Sequence, residues 1–253
     1  MTTNPSTSSL AKLAKASYLM GEKNKSKMNR MKDTQDAVID TDYILNPNYS
    51  NSEISVFQHQ NDPKNVVISM RGTKVDGRRG NDDLMNDLAI ATGRVENEST
   101  FKRRKKKTNQ IIKELEPTTL NMTGHSLGGT TTNYTIANSN IVRKYIKSGN
   151  NFSATTFDAG SHPIYNNNLS VGKGYGKILE DKVVHNRTDK DVVSMGLLTN
   201  NPFGKVKTIK IKYDKKSSKG LKDKLLAGTV LGKIKQFTDE TLDAHQIDHF
   251  IDE

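Results

Sequence analysis

The pentapeptide Gly124-His125-Ser126-Leu127-Gly128 constrains this chain more than any other stretch. It follows the β-branched and apolar run "TTLNMTG" and opens "SLGGTTTNYTIANSNIVRKYIKSG", which suits a helix crowded with small residues in its first turn and closed at Gly149. A serine between glycines at the junction of a strand and a helix fits the G-x-S-x-G nucleophile elbow, in which a strained turn lifts the hydroxyl above a sheet. The glycines answer a steric need, because side chains at Gly124 and Gly128 would collide with the neighbouring helix and strand.

The elements around the elbow alternate. Ser9 is placed to cap a first helix carrying Leu10, Leu13, Ala14 and Ser17 on one side, which runs into the polar segment "GEKNKSKMNRMKD". "EISVFQH" and "NVVISMRGT" read as neighbouring strands joined by a turn in "QNDPKN". A helix follows from Phe101 to the residue before Pro117, and further strands lie at "SATTFDAG", "DKVVHNRT" and "KVKTIKIKY". Strands alternating with helices predict an α/β sheet with parallel connections, and with neither an internal repeat nor a linker the 253 residues read as one domain.

A serine hydroxyl attacks only when a histidine removes its proton, and that imidazole must be oriented by a carboxylate. In the α/β-hydrolase arrangement the chain order is Ser, acid, His. His59 precedes Ser126, His125 lies inside the elbow, and His162 and His185 precede the acid loop, so His245 and His249 remain. The acid belongs in a loop beyond the strand after next, where "KVVHNRTDKDVVSM" supplies Asp191, with Asp189 as the near alternative. Asp158, at the end of the intervening strand, reads as structural. The chain has no cysteine, which excludes disulfides, thiolate metal sites and a cysteine nucleophile. Gln246 stands where a zinc protease motif over His245 and His249 needs glutamate.

In these residues the chain resembles the class 3 (fungal-type) lipases, which are α/β hydrolases. "VVISMRGT" is similar to their strand ending in Arg-Gly-Thr, "NDDLMNDL" to the acidic stretch that follows, and "MTGHSLGG" to their elbow. "TTFDAGSHP" is similar to the strand ending near proline, "DKDVVSM" to the Asp-x-Val acid loop, and "AHQIDHF" to a histidine followed by an aromatic residue. The resemblance implies an α/β-hydrolase fold, a mostly parallel sheet with helices on both faces. It implies Ser126 as nucleophile, Asp191 as acid, His245 as base, and an oxyanion hole at the amides of Thr73 and Leu127, with no metal or organic cofactor. The expected substrate is a lipid or other ester. The segment between Thr73 and Phe101 is short and polar where an apolar lid is expected, which favours a shorter ester or a phospholipid acyl chain over bulk triglyceride.

The formal charge of +11 favours anionic partners. "KRRKKK" at 102–107 reads as a solvated helix start, with peripheral contact to an anionic membrane as the alternative. "GLKDKLLAGTVLGKIKQF" sets Leu221, Leu225, Val230, Ile234 and Phe237 at helical spacing, with Lys222, Lys224, Lys233 and Lys235 mostly elsewhere. Such a stretch suits either a core helix or a helix lying on an anionic membrane. Basic runs without interleaved aromatics, and the lack of a nucleic-acid-binding motif, argue against nucleic acid as the partner. Neither a secretory leader nor a run of about 18 apolar residues is present, so the expected location is intracellular, soluble or peripheral to membranes. A catalytically inactive scaffold that binds anionic membranes or polyanions is the competing expectation.

Overall fold

The computed structural model describes residues 4–72, 98–160, 174–189, 191, 194, 203–211 and 246–251. Its centre is a seven-stranded sheet in the order β1 (Tyr43–Leu45), β2 (Ile54–His59), β3 (Asp62–Met70), β4 (Thr119–His125), β5 (Asn151–Phe157), β6 (Val183–Thr188) and β7 (Lys205–Ile209). The pairs β1–β2 and β2–β3 are antiparallel, and every later pair is parallel. The antiparallel hairpin between β2 and β3 is tighter than the sequence suggests: only Gln60 and Asn61 separate the strands, and Pro63 lies within β3.

Parallel neighbours need crossover connections. α3 (Glu98–Leu115) joins β3 to β4, α4 (Leu127–Asn138) and α5 (Asn140–Lys147) join β4 to β5, and α6 (Gly174–Leu179) lies between β5 and β6. Sequential order with right-handed crossovers puts all of these helices on one face. The packing agrees. Phe101, Ile111, Ile112, Tyr134, Ile136, Val142, Ile146 and Leu179 share one apolar cluster with Val66, Ile68, Met70, Leu120, Met122, Phe152 and Val183. The opposite face holds α1 (Thr7–Ala16) and a 3₁₀ turn at Ile247–Phe250, where Leu10, Leu13, Ala14, Ile247 and Phe250 pack with Phe57, Val67 and Phe157. A mostly parallel sheet with helices on both faces, carrying a serine at the strand-to-helix turn after β4, is the α/β-hydrolase fold. No described helix is long and apolar enough to cross a membrane.

Three local details differ from the sequence reading, each for a physical reason. α1 is capped by Ser6, whose Oγ accepts from the Ser9 amide at 3.0 Å, so Ser9 is the third helical residue and the donor to the cap. The polar segment after α1 contains a helix of its own, α2 (Lys27–Asp36), capped by Ser26 at the Asn29 amide. The predicted helix after Ser126 is two helices, because Ser139 turns extended (φ −94°, ψ 117°) and its Oγ accepts from the Val142 amide. Asn-Ser-Asn offers three residues that bond the backbone better outside a helix than within it.

α4 is buried on all sides although it carries Thr130, Thr131, Thr132 and Thr135. The hydroxyls of Thr130, Thr131 and Thr132 donate to the carbonyls of Ser126, Leu127 and Gly128 one turn back, at 3.2, 2.7 and 2.9 Å. Those bonds let a row of β-branched polar residues sit where desolvation without partners would be costly.

Two substitutions test this account by urea denaturation. Ser6→Ala is expected to cost about 1 kcal/mol and Ser9→Ala clearly less, since only Ser6 accepts a helix amide. Leu13→Ala, at a position with no exposed surface, is expected to cost about 2–5 kcal/mol by opening a cavity between α1 and the sheet.

Candidate active site at the carboxyl rim of the sheet

The parallel strands end in one line. Met70 of β3 is level with Gly124 of β4, His125 with Phe157 of β5, and Phe157 with Asn186 of β6. The residues that follow these strands therefore share one rim: Arg71 and Gly72, Ser126, Asp158, then the loop carrying Asp189 and Asp191. Ligand sites of open parallel sheets lie beyond this carboxyl edge.

Ser126 is the residue between β4 and α4 and stands at φ 57°, ψ −129°, a conformation that L-residues adopt at a cost. Its amide donates to the Phe157 carbonyl at 2.9 Å, which ties the strained turn to β5. Its side chain makes no capping bond to α4, so the helix does not claim the hydroxyl. The turn closes because three glycines remove side chains. A Cβ at Gly124 would lie 2.5 Å from the Gly128 carbonyl carbon, one at Gly128 would lie 2.0 Å from the Met70 carbonyl oxygen, and one at Gly129 would lie 2.7 Å from the Ala159 methyl. Leu127 begins α4, so its amide has no carbonyl one turn behind it to bond, and the helix end adds positive potential. That amide is a ready donor to a developing negative charge.

Asp191 follows β6 and is completely buried. Its Oδ2 accepts from the Ser194 amide at 2.8 Å, and Arg187 donates from Nη2 to its backbone carbonyl at 3.4 Å and from Nε to the Ser194 Oγ at 3.2 Å. Asp189 is used differently. Its amide bonds the Ile209 carbonyl and its Oδ1 accepts from the Ile211 amide, which fastens it to the β7 side. Asp158 is also completely buried and stands at φ 42°, with its Oδ1 accepting from the Thr188 amide at 2.8 Å. Burial first, then the Asp191 carboxyl beside it, push its pKa well above the usual carboxylate range. Sequence reasoning set Asp158 aside as structural, and only the β5–β6 pairing brings it against Asp191.

Thr73 and His245, the remaining two site residues expected from sequence, lie outside the described residues, as do His162 and the segment containing Lys222, Lys224, Lys233 and Lys235. Two of the histidines that chain order excluded, His185 and His125, are engaged elsewhere. His185 is fully buried; its Nε2–H donates to the Phe203 carbonyl at 3.0 Å, so its Nδ1 accepts from the Thr156 hydroxyl at 2.8 Å. Desolvation lowers its pKa to about 4 and keeps it neutral. His125 in the elbow pairs through Nδ1 with the Tyr18 hydroxyl at 2.8 Å. His249 is half-buried in the C-terminal 3₁₀ turn.

The cationic run at 102–107 is only partly a solvated face. Arg104 is buried and donates from Nη1 to the Arg71 carbonyl at 2.7 Å, and desolvation lowers its pKa to about 10. Arg103 forms a two-nitrogen pair with Glu53. Lys105 and Lys107 lie over the rings of Tyr134 and Tyr49, at 5.6 and 5.9 Å from the centroids. Among the described residues no group of three or more His, Asp or Glu side chains could hold a metal ion.

No family model matches the chain, and no curated protein matches it. Among solved structures, the crystal structure of a mutant form of MDLA from Penicillium cyclopium is similar over 85% of this chain and 80% of that chain, at 14% sequence identity and a TM-score of 0.38.

Two outcomes are expected. Gly128→Ala, whose methyl would meet the Met70 backbone and not a movable side chain, should lose about 3 kcal/mol or more of stability in a denaturant melt. For His185, the lowered folded pKa means that its contribution to stability is complete above the ordinary value of 6.5 and is lost as pH falls toward about 4. Imidazole NMR should show this ring still neutral, as the Nε2–H tautomer, at about pH 5.

Proposed function

We propose that this chain is a serine ester hydrolase of the class 3 lipase type, acting on lipid acyl esters through an acyl-enzyme. Ser126 Oγ attacks the ester carbonyl while His245 takes its proton, and Asp191 holds and stabilises the imidazolium. The amides of Thr73 and Leu127 donate to the oxyanion, and the proton on His245 passes to the departing alcohol. Water, activated by the same histidine, then attacks the acyl-enzyme carbonyl and releases the acid. No metal or organic cofactor takes part in these steps.

The observation that carries this reading is Ser126 itself. A non-glycine residue is held at positive φ on the carboxyl rim, its hydroxyl uncommitted to the helix and the first amide of α4 beside it. Strain of this kind persists only where the surroundings impose it, and it is found most at functional sites. A buried carboxylate two strands away, beyond β6, adds to the case. The polar stretch between Thr73 and Phe101 favours a phospholipid or short-chain ester as substrate. Attachment to an anionic surface through Lys222, Lys224, Lys233 and Lys235 belongs to the same proposal. The 102–107 run contributes less, because Arg103 and Arg104 are already engaged within the fold.

Labelling by a fluorophosphonate probe tests the nucleophile. The parent protein should label and Ser126→Ala should not, with hydrolysis of p-nitrophenyl esters falling by roughly 10⁴-fold or more. Asp191→Asn and His245→Gln should each lower turnover by roughly 10³-fold or more while leaving the fold intact. A folded parent protein that neither labels nor turns over esters would instead identify a non-catalytic scaffold. Sedimentation with liposomes tests attachment: binding should require acidic lipid and weaken in high salt, and equal binding to neutral vesicles would remove that part.

A further inference from the structure

Two carboxyl groups with no exposed surface stand at the same rim, Asp158 after β5 and Asp191 after β6, and the Asp191 carboxyl acts on that of Asp158. Asp158 Oδ1 has the Thr188 amide and Asp191 Oδ2 has the Ser194 amide, each at 2.8 Å. Among the described residues no hydrogen-bond donor reaches Asp158 Oδ2. Two bare carboxylates cannot bond each other, because both only accept, and interacting like charges in a dry site raise the energy of the doubly ionised state. One proton between them removes both difficulties. It turns the orphaned oxygen into a donor and leaves a single negative charge.

The surroundings decide which carboxyl keeps the proton. The Asp191 side chain accepts from the Ser194 amide and Arg187 bonds its backbone carbonyl, so a donor and a positive charge stand beside this group. Asp158 has one amide at Oδ1 and, among the described residues, no donor at Oδ2. The charged groups facing it are Asp191, which favours the protonated form, and Arg187 from β6, which opposes it less strongly than burial and Asp191 favour it. Its backbone is held at φ 42°, a region that Asp tolerates better than most residues, and its amide is fixed to the Asn186 carbonyl at 2.9 Å.

We propose that Asp158 is a positioning residue for the acid, held as a neutral carboxyl whose Oδ2–H donates to the Asp191 carboxylate. The bond fixes the orientation of Asp191 and confines the negative charge to that carboxyl. The catalytic part of this inference rests on Asp191 serving the proposed triad. The protonation state does not, and it can be measured in a protein with no turnover.

Infrared spectra of the full chain at neutral pH should contain a protonated carboxylic acid band that disappears in Asp158→Asn. Its absence from the parent protein would overturn the proposal. Stability supplies a second reading with a definite sign. Because the folded-state pKa is raised above the ordinary 3.8, the unfolded chain binds fewer protons between the two values, and stability falls as pH rises through that window. The carboxamide of the Asp158→Asn variant stays neutral throughout, so the Tm of that variant relative to the parent should increase from about pH 4 to about pH 8. A relative Tm that decreases over the same range would mean that Asp158 is ionised and paired with Arg187, and would also overturn it.

Turnover separates positioning from chemistry. Asp158→Ala should lose roughly tenfold to a hundredfold, and Asp158→Asn, which can still donate to Asp191, should recover most of that loss. Equal losses in the two variants would overturn the donor role. A parent protein that shows the acid band but never labels at Ser126 would end the hydrolase reading, and with it the catalytic use of the pair, while the spectrum still fixes the proton.

Discussion

The approach of α4 to the end of β3 is the contact on which the site depends. At Gly128 the helix comes so near the Met70 carbonyl that even a methyl group has no room, and at Gly124 the strand comes equally near the helix. Without that closeness the chain could not reverse direction in one residue, Ser126 could adopt an ordinary backbone, and the Leu127 amide would point into the strand layer. The Ser126 amide completes the lock by bonding to β5. Three parallel strands thus cooperate to hold one unfavourable φ, and the cost of order 1–3 kcal/mol is spread over packing that the sheet supplies anyway.

The two faces of the sheet do different work. The face under α3, α4 and α5 is apolar, and its side chains lock the helices that carry the elbow. The face under α1 is mixed: Asn65, Asn121 and Ser69 are buried beside Leu13 and Ala14. There Tyr43 and Asn121 donate to Asn65 Oδ1 at 3.2 and 3.4 Å, and Ser69 donates to the Leu13 carbonyl at 3.3 Å. A helix that meets a sheet through alanines and shared polar contacts sits close to it, and α1 passes near the elbow, where Tyr18 just beyond it reaches His125.

Much of this was legible in sequence because the signals were local. The elbow, β2 to β7 and the crossover helices on either side of β4 follow from β-branched runs, glycine spacing and proline stops within a few residues, whereas α6 is not read from sequence. The misplaced features depend on competition between near-equivalent neighbours. Ser6 and Ser9 are both good caps, and the helix start is decided by burial of Leu10 and Leu13, which either serine would satisfy. The break at Ser139 competes with a helical pattern that continues through it. α2 has Thr34 as its single buried residue and a polar sequence with no apolar stripe, so periodicity carries no signal for it. Arg104 looks like five neighbouring cations until β3 and α4 close over it. Asp158 could not be related to Asp191 at all, since 33 residues separate them and only the β5–β6 register makes them neighbours.

That register also explains an odd feature of β6. A strand flanked on both sides by others is expected to be apolar, yet "VVHNRT" buries His185, Asn186, Arg187 and Thr188. Each buried polar group would cost free energy if left alone. His185 spans Thr156 and Phe203, Arg187 gathers Ser194 and the Asp191 carbonyl, and the Thr188 amide holds Asp158. The strand therefore spends its side chains on the loop that follows it and on the strand end beside it. An apolar β6 would serve the core better and leave Asp191 and Ser194 without the Arg187 guanidinium. The polar one ties the position of an acid to the sheet itself, so that the geometry between the elbow and the acid loop is set by strand pairing, the stiffest part of the molecule.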